Sequence, residues 1–252
     1  MSKSKSSPSR KVFLVINYIV LTFLGLICVL PFINLLAISF SNKTAVAANA
    51  VTFWPIGFNT AAYSFIMSSS QFLRALWISV QRTVLGVALN LILIVFTAYP
   101  LSKSKQEFPL RNVFSWFFVV TILFSGGLIP SYMVVKYTGI LNTIWALILP
   151  GALNVFNMLV VMNYMRSLPH ELEEAAYIDG ASVARTFYEI VMPLIKPILA
   201  TALIKEALWI WNDFMLPMLI LNKNEYFTLT LFAYNFKSTD NTDFGPLFAS
   251  YV

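Results

Sequence analysis

Polar residues fall along this chain in short clusters that separate long apolar runs. Five runs reach the roughly 20 residues a helix needs to cross a bilayer. They are, to within a few residues, 12–40, 75–99, 112–135, 144–165 and 194–221. Pro31 interrupts the first run and Pro100 ends the second, because proline removes a helical hydrogen bond. A further run starts at Leu247 and reaches Val252. That is about 9 Å of helix, far short of a span. The predicted fold is all-α, a polytopic transmembrane bundle of five complete spans plus the start of a sixth helix. Residues 1–11 form an N-terminal tail and residues 12–252 one transmembrane domain. Residues 42–72, rich in Ala, Ser and aromatics, have room for a short interfacial helix. No internal repeat and no soluble domain stand out.

Basic residues orient these spans. Lys3, Lys5, Arg10 and Lys11 precede the first. Lys103, Lys105 and Arg111 lie between the second and third, and Arg166 and Arg185 between the fourth and fifth. The alternate loops are poorer: Lys43 and Arg74, then Lys136, then Lys223 and Lys237. Lys and Arg collect on the cytoplasmic side, so the N-terminus and residues 166–193 are expected there.

Composition agrees. Hydrophobic residues make up 58% of the 252 and charged residues 11%, against about a quarter charged in soluble domains, and the mean hydropathy is +0.74. The net charge of +6 is explained by basic inner loops and requires no nucleic acid. The start, "MSKSKSSPSR", resembles the basic region of a signal peptide, but the apolar run behind it is too long and lacks a small-residue cleavage site. Cys28, the single cysteine, permits no intramolecular disulfide and no cysteine-based metal site. His170, the single histidine, cannot build a histidine-rich one. No metal site is expected.

The segment "EEAAYIDGASVARTFYEIVMP", residues 173–193, is charged and glycine-punctuated between two apolar runs. Residues 166–193 read as two short helices. Ser167 and Pro169 suit the start of the first, and Glu171, Glu173 and Glu174 complement its dipole. Ala175 and Ala176 are small enough for another surface to come close. Gly180 suits a left-handed helix end. Ser182 suits the cap of a second helix, which Pro193 is expected to stop. A merely solvated loop needs none of these devices.

These residues also resemble the EAA loop of ABC-importer permeases: Glu-Ala-Ala, three residues, Gly, nine residues, Ile-x-Leu-Pro. Here the elements are Glu174, Ala175 and Ala176, then Gly180, then Ile190 to Pro193, with Met192 in place of Leu. "FSGGLIPSY", "GILNTIWALILP" and "WNDFMLP" resemble the maltose-transporter type of sugar permease, nearest to those linked to complex-polysaccharide oligosaccharides. The resemblance runs from about Tyr18 to Val252 and implies six spans in such a subunit. It implies that residues 166–193 are a coupling loop docking on a separate cytoplasmic ATPase, through Glu173, Glu174, Ala175, Ala176, Asp179, Gly180 and Pro193. The chain has no G-x-x-x-x-G-K-[ST] phosphate loop, so ATP and Mg are expected on the partner and no cofactor here. The implied partners are a second permease, two ATPase subunits, an extracytoplasmic sugar-binding protein and the lipid bilayer, in a prokaryotic cell membrane.

Ionisable groups inside a membrane are costly and mark function or interhelical bonding. In the fifth run Lys205, Trp209 and Asn212 recur at helical spacing, as do Glu206, Trp209 or Ile210, and Asp213. Both stripes are expected to face the bundle interior. Aromatic faces suit sugar C–H surfaces and polar groups suit hydroxyls. The candidate substrate path therefore comprises Trp209, Asn212 and Asp213, with Arg82 from the second run and Asn157 from the fourth. Bonding between helices is the alternative for each. Arg82 either snorkels or pairs with an acid. Gly126 and Gly127 break the third run, either as a simple kink or as unwound chain lining a cavity. The reading is a non-catalytic permease of an ATP-driven carbohydrate importer. The alternatives are a membrane-embedded glycosyl or lipid transferase, and a channel or structural membrane subunit.

Overall fold

The computed structural model describes residues 8–239 and 244–250. Its helices are α1 (Pro8–Ser39), α2 (Lys43–Ala47), α3 (Ala61–Ser68), α4 (Ser70–Ser102), α5 (Arg111–Leu123), α6 (Leu128–Tyr137), α7 (Ile144–Ile148), α8 (Val155–Arg166), α9 (Glu171–Ile178), α10 (Val183–Thr186), α11 (Met192–Asn212), α12 (Met215–Ile220), α13 (Leu229–Thr239) and α14 (Phe244–Ala249). No strand occurs among the described residues, so the all-α expectation holds. Three stretches are long and apolar enough to cross a membrane as single helices: Ser9–Ser39, Ser70–Ser102 and Val183–Asn212. Two bent pairs qualify jointly, α5 with α6 at 115°, and α7, extended to Gly151, with α8 at 47°.

The chain divides into two compact units. The first comprises residues 1–73 and 233–252. Its longest element, α1, runs through Pro31 without stopping, so the expected interruption does not end the helix. None of its most apolar stretch is buried within the chain, which suits a helix clad in lipid or by another chain. After α1 the backbone turns on side-chain bonds. Asn34 Nδ2 donates to Thr52 O at 2.5 Å, and Asn42 caps α2. Phe40 stacks on Phe58 and Tyr63. Ala37, Val46 and Val51 form a small core, and α14 packs on α1, α2 and α3. The interfacial helix foreseen in residues 42–72 is thus two helices, α2 and α3. The start of the tail, residues 1–7, lies outside the described residues. So do residues 251–252 of the last apolar run, and the side chains of Leu247 and Phe248.

The second unit, residues 74–232, holds the main core. Ile94 and Ala98 of α4 meet Met158 and Val161 of α8 and Ile195 of α11, all fully buried. A smaller cluster of Val135, Ala146, Leu147, Ile220, Leu221 and Leu231 joins α6, α7, α12 and α13. Pro100 does not end α4, which continues to Ser102. The expected third helix breaks where Gly127 adopts φ +82° ahead of α6, a conformation open to glycine. The fourth breaks at Pro150 and Gly151, and Asn154 starts α8 afresh by accepting from Asn157 N–H. The fifth ends at Asn212 rather than 221. There the chain extends at Asp213, and α12 follows as a separate helix.

Candidate functional site

Residues 166–193 fold as a helical hairpin. Glu171, Glu173 and Glu174 occupy the first turn of α9, with His170 rather than Ser167 at the N-cap. At its end Asp179 is the C-cap and Gly180 takes φ +80°. Gly180 N–H donates to Tyr177 O at 3.1 Å and Ala181 N–H to Ala176 O at 2.9 Å. This pair of bonds is the Schellman arrangement, closing the last orphan carbonyls. Ser182 Oγ accepts from Arg185 N–H and starts α10.

Pro193 does not stop this second helix. The helix passes through a wide π turn, Phe187–Val191, in which Met192 N–H reaches Phe187 O, and merges into α11. The wider turn relaxes the ladder where proline would otherwise clash with the carbonyl four residues back. The second arm of the hairpin and the last long membrane helix are therefore one rod, Val183–Asn212.

The hairpin is clamped to the end of α4. Glu173 pairs with Lys103, whose Nζ also lies 4.4 Å from the centre of the Tyr99 ring. Arg166 donates to Leu101 O at 2.7 Å, and Arg111 to Lys103 O at 2.8 Å. Burial, with the neighbouring Tyr99 next, pushes the Tyr177 phenol up to about 12, so it stays a neutral hydroxyl at physiological pH. In the adjoining loop, hydrogen bonding from Ser104 holds the Glu107 carboxyl below its ordinary value. Ala176 packs inward, while Glu174, Ala175 and Asp179 are exposed and Ile178 is 86% exposed. The free surface of the hairpin is thus acidic with an apolar tip. Lys103 registers in the sequence only as an inner-loop charge; 70 positions separate it from Glu173, and no local pattern links them.

Along α11 the two polar stripes part. Glu206, Ile210 and Asp213 turn inward. Glu206 is 1% exposed, and its Oε2 accepts from Asn154 and Asn157 Nδ2, each at 3.0 Å. Asp213 pairs with Arg82 at 2.5 Å, their side chains 12% and 3% exposed. Arg82 also donates to Ile210 O at 3.3 Å. Gly86 lets Ile210 approach α4, since a Cβ there would lie 2.9 Å from Ile210 Cδ1. The other stripe does not face the interior of this chain. Lys205 and Asn212 are exposed, as is Trp209 at 54%, with its ring against Gly151. Of the five path candidates, Trp209 and Asn212 therefore lie on an open face. Arg82, Asp213 and Asn157 lie in the packed wall behind it, tying α4, α8 and α11 together.

A sequence model of the family described as binding-protein-dependent transport system inner membrane component matches residues 56–252. Protein LplC of Bacillus subtilis (strain 168) is 40% identical over 226 residues, covering 90% of this chain and 76% of LplC. The polygalacturonan/rhamnogalacturonan transport system permease protein YtcP of the same strain is 39% identical over 213 residues, covering 84% of this chain and 74% of YtcP. A crystal structure of a bacterial ABC transporter involved in the import of the acidic polysaccharide alginate contains a chain that superposes with TM-score 0.85 at 26% identity, covering 98% of this chain and 92% of that one.

Proposed function

Because the chain belongs to the family of binding-protein-dependent transport system inner membrane components, we propose that it forms, with a second permease, the path by which an ATP-driven importer admits oligosaccharides. It is a transport permease and not an enzyme, so the transferase reading falls with the family. Its partners are a second permease, cytoplasmic ATPase subunits and an extracytoplasmic sugar-binding protein, and ATP and Mg belong to the ATPases. The N-terminus lies in the cytoplasm and each bent helix pair counts as one span, giving five among the described residues. Residues 166–193 form the coupling loop of the permease domain, with Glu174, Ala175, Asp179 and Gly180 on its free surface and Glu173, Ala176 and Pro193 setting its shape. Trp209 and Asn212 face the sugar, with Arg82, Asp213 and Asn157 in the wall behind.

One observation carries this reading. A hairpin with a closed Schellman turn and an exposed acidic and apolar tip continues as one rod into α11. A push on the tip therefore moves a membrane helix that bears the candidate path residues, with no flexible linker to absorb it. The test is Gly180→Val. A β-branched residue at φ +80° is strained, by about 1–2 kcal/mol or more, and the Schellman turn opens. Purified with its partners, the variant is expected to insert and fold but to hold the ATPases weakly and import little sugar. Wild-type uptake with normal ATPase association would reject the coupling assignment.

A further inference from the structure

The charges gathered around α11 are not disposed alike. Arg82 and Asp213 neutralise each other inside the unit. Glu206 and Lys205 are joined through an intermediary: Asn157 gives Nδ2–H to the buried Glu206 carboxylate at 3.0 Å and accepts from Lys205 Nζ at 3.1 Å on Oδ1. This relay runs across the helix, with the Glu206 carboxyl in the packed interior and the Lys205 ammonium on the open face. The other neighbour of Lys205 is the Phe156 ring, 4.2 Å away and itself exposed. None of the ion pairs among the described residues involves Lys205. Its depth matters as well. Lys205 lies seven residues before the end of α11, about 10 Å along the axis. Held there by Asn157 instead of snorkelling outward, its ammonium cannot face lipid without penalty. The open face must meet water or a polar occupant, and Trp209 and Asn212 continue it over the next two turns.

We propose that Lys205 selects acidic sugars: its ammonium binds a uronate carboxylate while Trp209 stacks on the neighbouring pyranose ring. This rests on the importer reading and adds a substrate class to it. An oligouronide repeats an anionic edge and an apolar C–H face along its length. A cation one helical turn from an indole presents the complement of both, whereas a neutral sugar offers the ammonium hydroxyl acceptors and no opposite charge.

The test uses the complete importer with its binding protein in lipid vesicles, offered trigalacturonate, trimannuronate or neutral galactotriose. Lys205→Gln keeps an amide N–H to offer Asn157 but loses the charge. Lys205→Arg keeps the charge. Because the binding protein is the same in every arm, differences between variants belong to this chain. Wild type is expected to import an acidic trisaccharide, Lys205→Gln to import it about tenfold more slowly or worse, and Lys205→Arg to recover most of the rate. The gap between wild type and Lys205→Gln should narrow as ionic strength rises. Equal acidic-sugar uptake by wild type and Lys205→Gln overturns the proposal. So does loss of the second permease from both variants on purification, which would make this face an interface between permeases. Import of galactotriose alone by wild type overturns the acidic class and leaves the importer reading standing. Failure of any ATPase to assemble with the wild-type chain is what would bring down the importer reading itself.

Discussion

Arg82 and Asp213 stand 131 positions apart, and each fixes the fate of the other. A buried ion pair adds little net stability, because desolvating both groups offsets their attraction, but removing one partner strands the other. Arg82→Leu or Asp213→Asn alone is therefore expected to destabilise the folded chain by about 3–5 kcal/mol. Combining Arg82→Leu with Asp213→Asn should lose less than either single change. Thermal unfolding of the detergent-purified chain, followed for all three variants and wild type, checks this; additive losses would mean that the contact is not an energetic pair. The sequence shows Arg82 as an expensive residue in a membrane helix but leaves its partner open between lipid headgroups and an acid. The acid it meets is chosen by the extended turn at Asp213, which ends α11 nine residues before the apolar pattern ends. Apolar content continues through α12, so hydropathy carries no mark of that turn.

At the scale of elements, what the sequence reveals is what is held locally. Gly180 and Ser182 close and start helices through bonds to residues at most five positions away, and both turns are legible from residue type alone. The π turn is not. Proline in an apolar helix reads as a stop, and nothing in Phe187–Val191 announces a widened ladder that lets Pro193 pass. The clamp on the hairpin is equally silent, since Lys103 and Glu173 meet only after α4, α8 and α9 have packed. That clamp makes a prediction. Lys103 and Glu173 are both partly buried, with side chains 13% and 20% exposed. Lys103→Met is therefore expected to weaken docking of α9 by about 1 kcal/mol, which is about fivefold in its opening equilibrium. Amide hydrogen exchange over residues 171–178 should quicken by that factor, while exchange in the core of α8 stays unchanged. Unaltered exchange in α9 would show that Ala176 packing alone holds the hairpin in place.

For the molecule as a whole, topology turns on the crossing of the membrane by the α5–α6 pair. A 115° bend suits either a broken span or a re-entrant loop that returns to its own side. The two differ by a reversal of everything that follows. If the pair crosses, Thr138 lies outside and the hairpin of residues 166–182 returns to the side of Lys103, Lys105 and Arg111. If it re-enters while the α7–α8 pair crosses, Thr138 lies inside and Arg166 and Arg185 are driven outside, against the tendency of basic loops to stay in the cytoplasm. The clamp adds a constraint by geometry alone. Glu173 pairs with Lys103, and Arg166 bonds Leu101 O, so the hairpin and the end of α4 must share one face of the membrane. Only a crossing by both bent pairs, or by neither, permits that. Both pairs are long and apolar enough in length and composition to be broken spans. Replacing Cys28 with Ser leaves a chain without thiols, into which Thr138→Cys or Glu171→Cys is introduced. A membrane-impermeant maleimide applied to intact cells is expected to label the first variant, and to label the second only after the cells are opened. Labelling of neither variant from outside would mean that both pairs are re-entrant and that the described residues hold three spans, with the hairpin still cytoplasmic. Labelling of Glu171→Cys from outside would contradict the clamp, the charge asymmetry and the coupling role together.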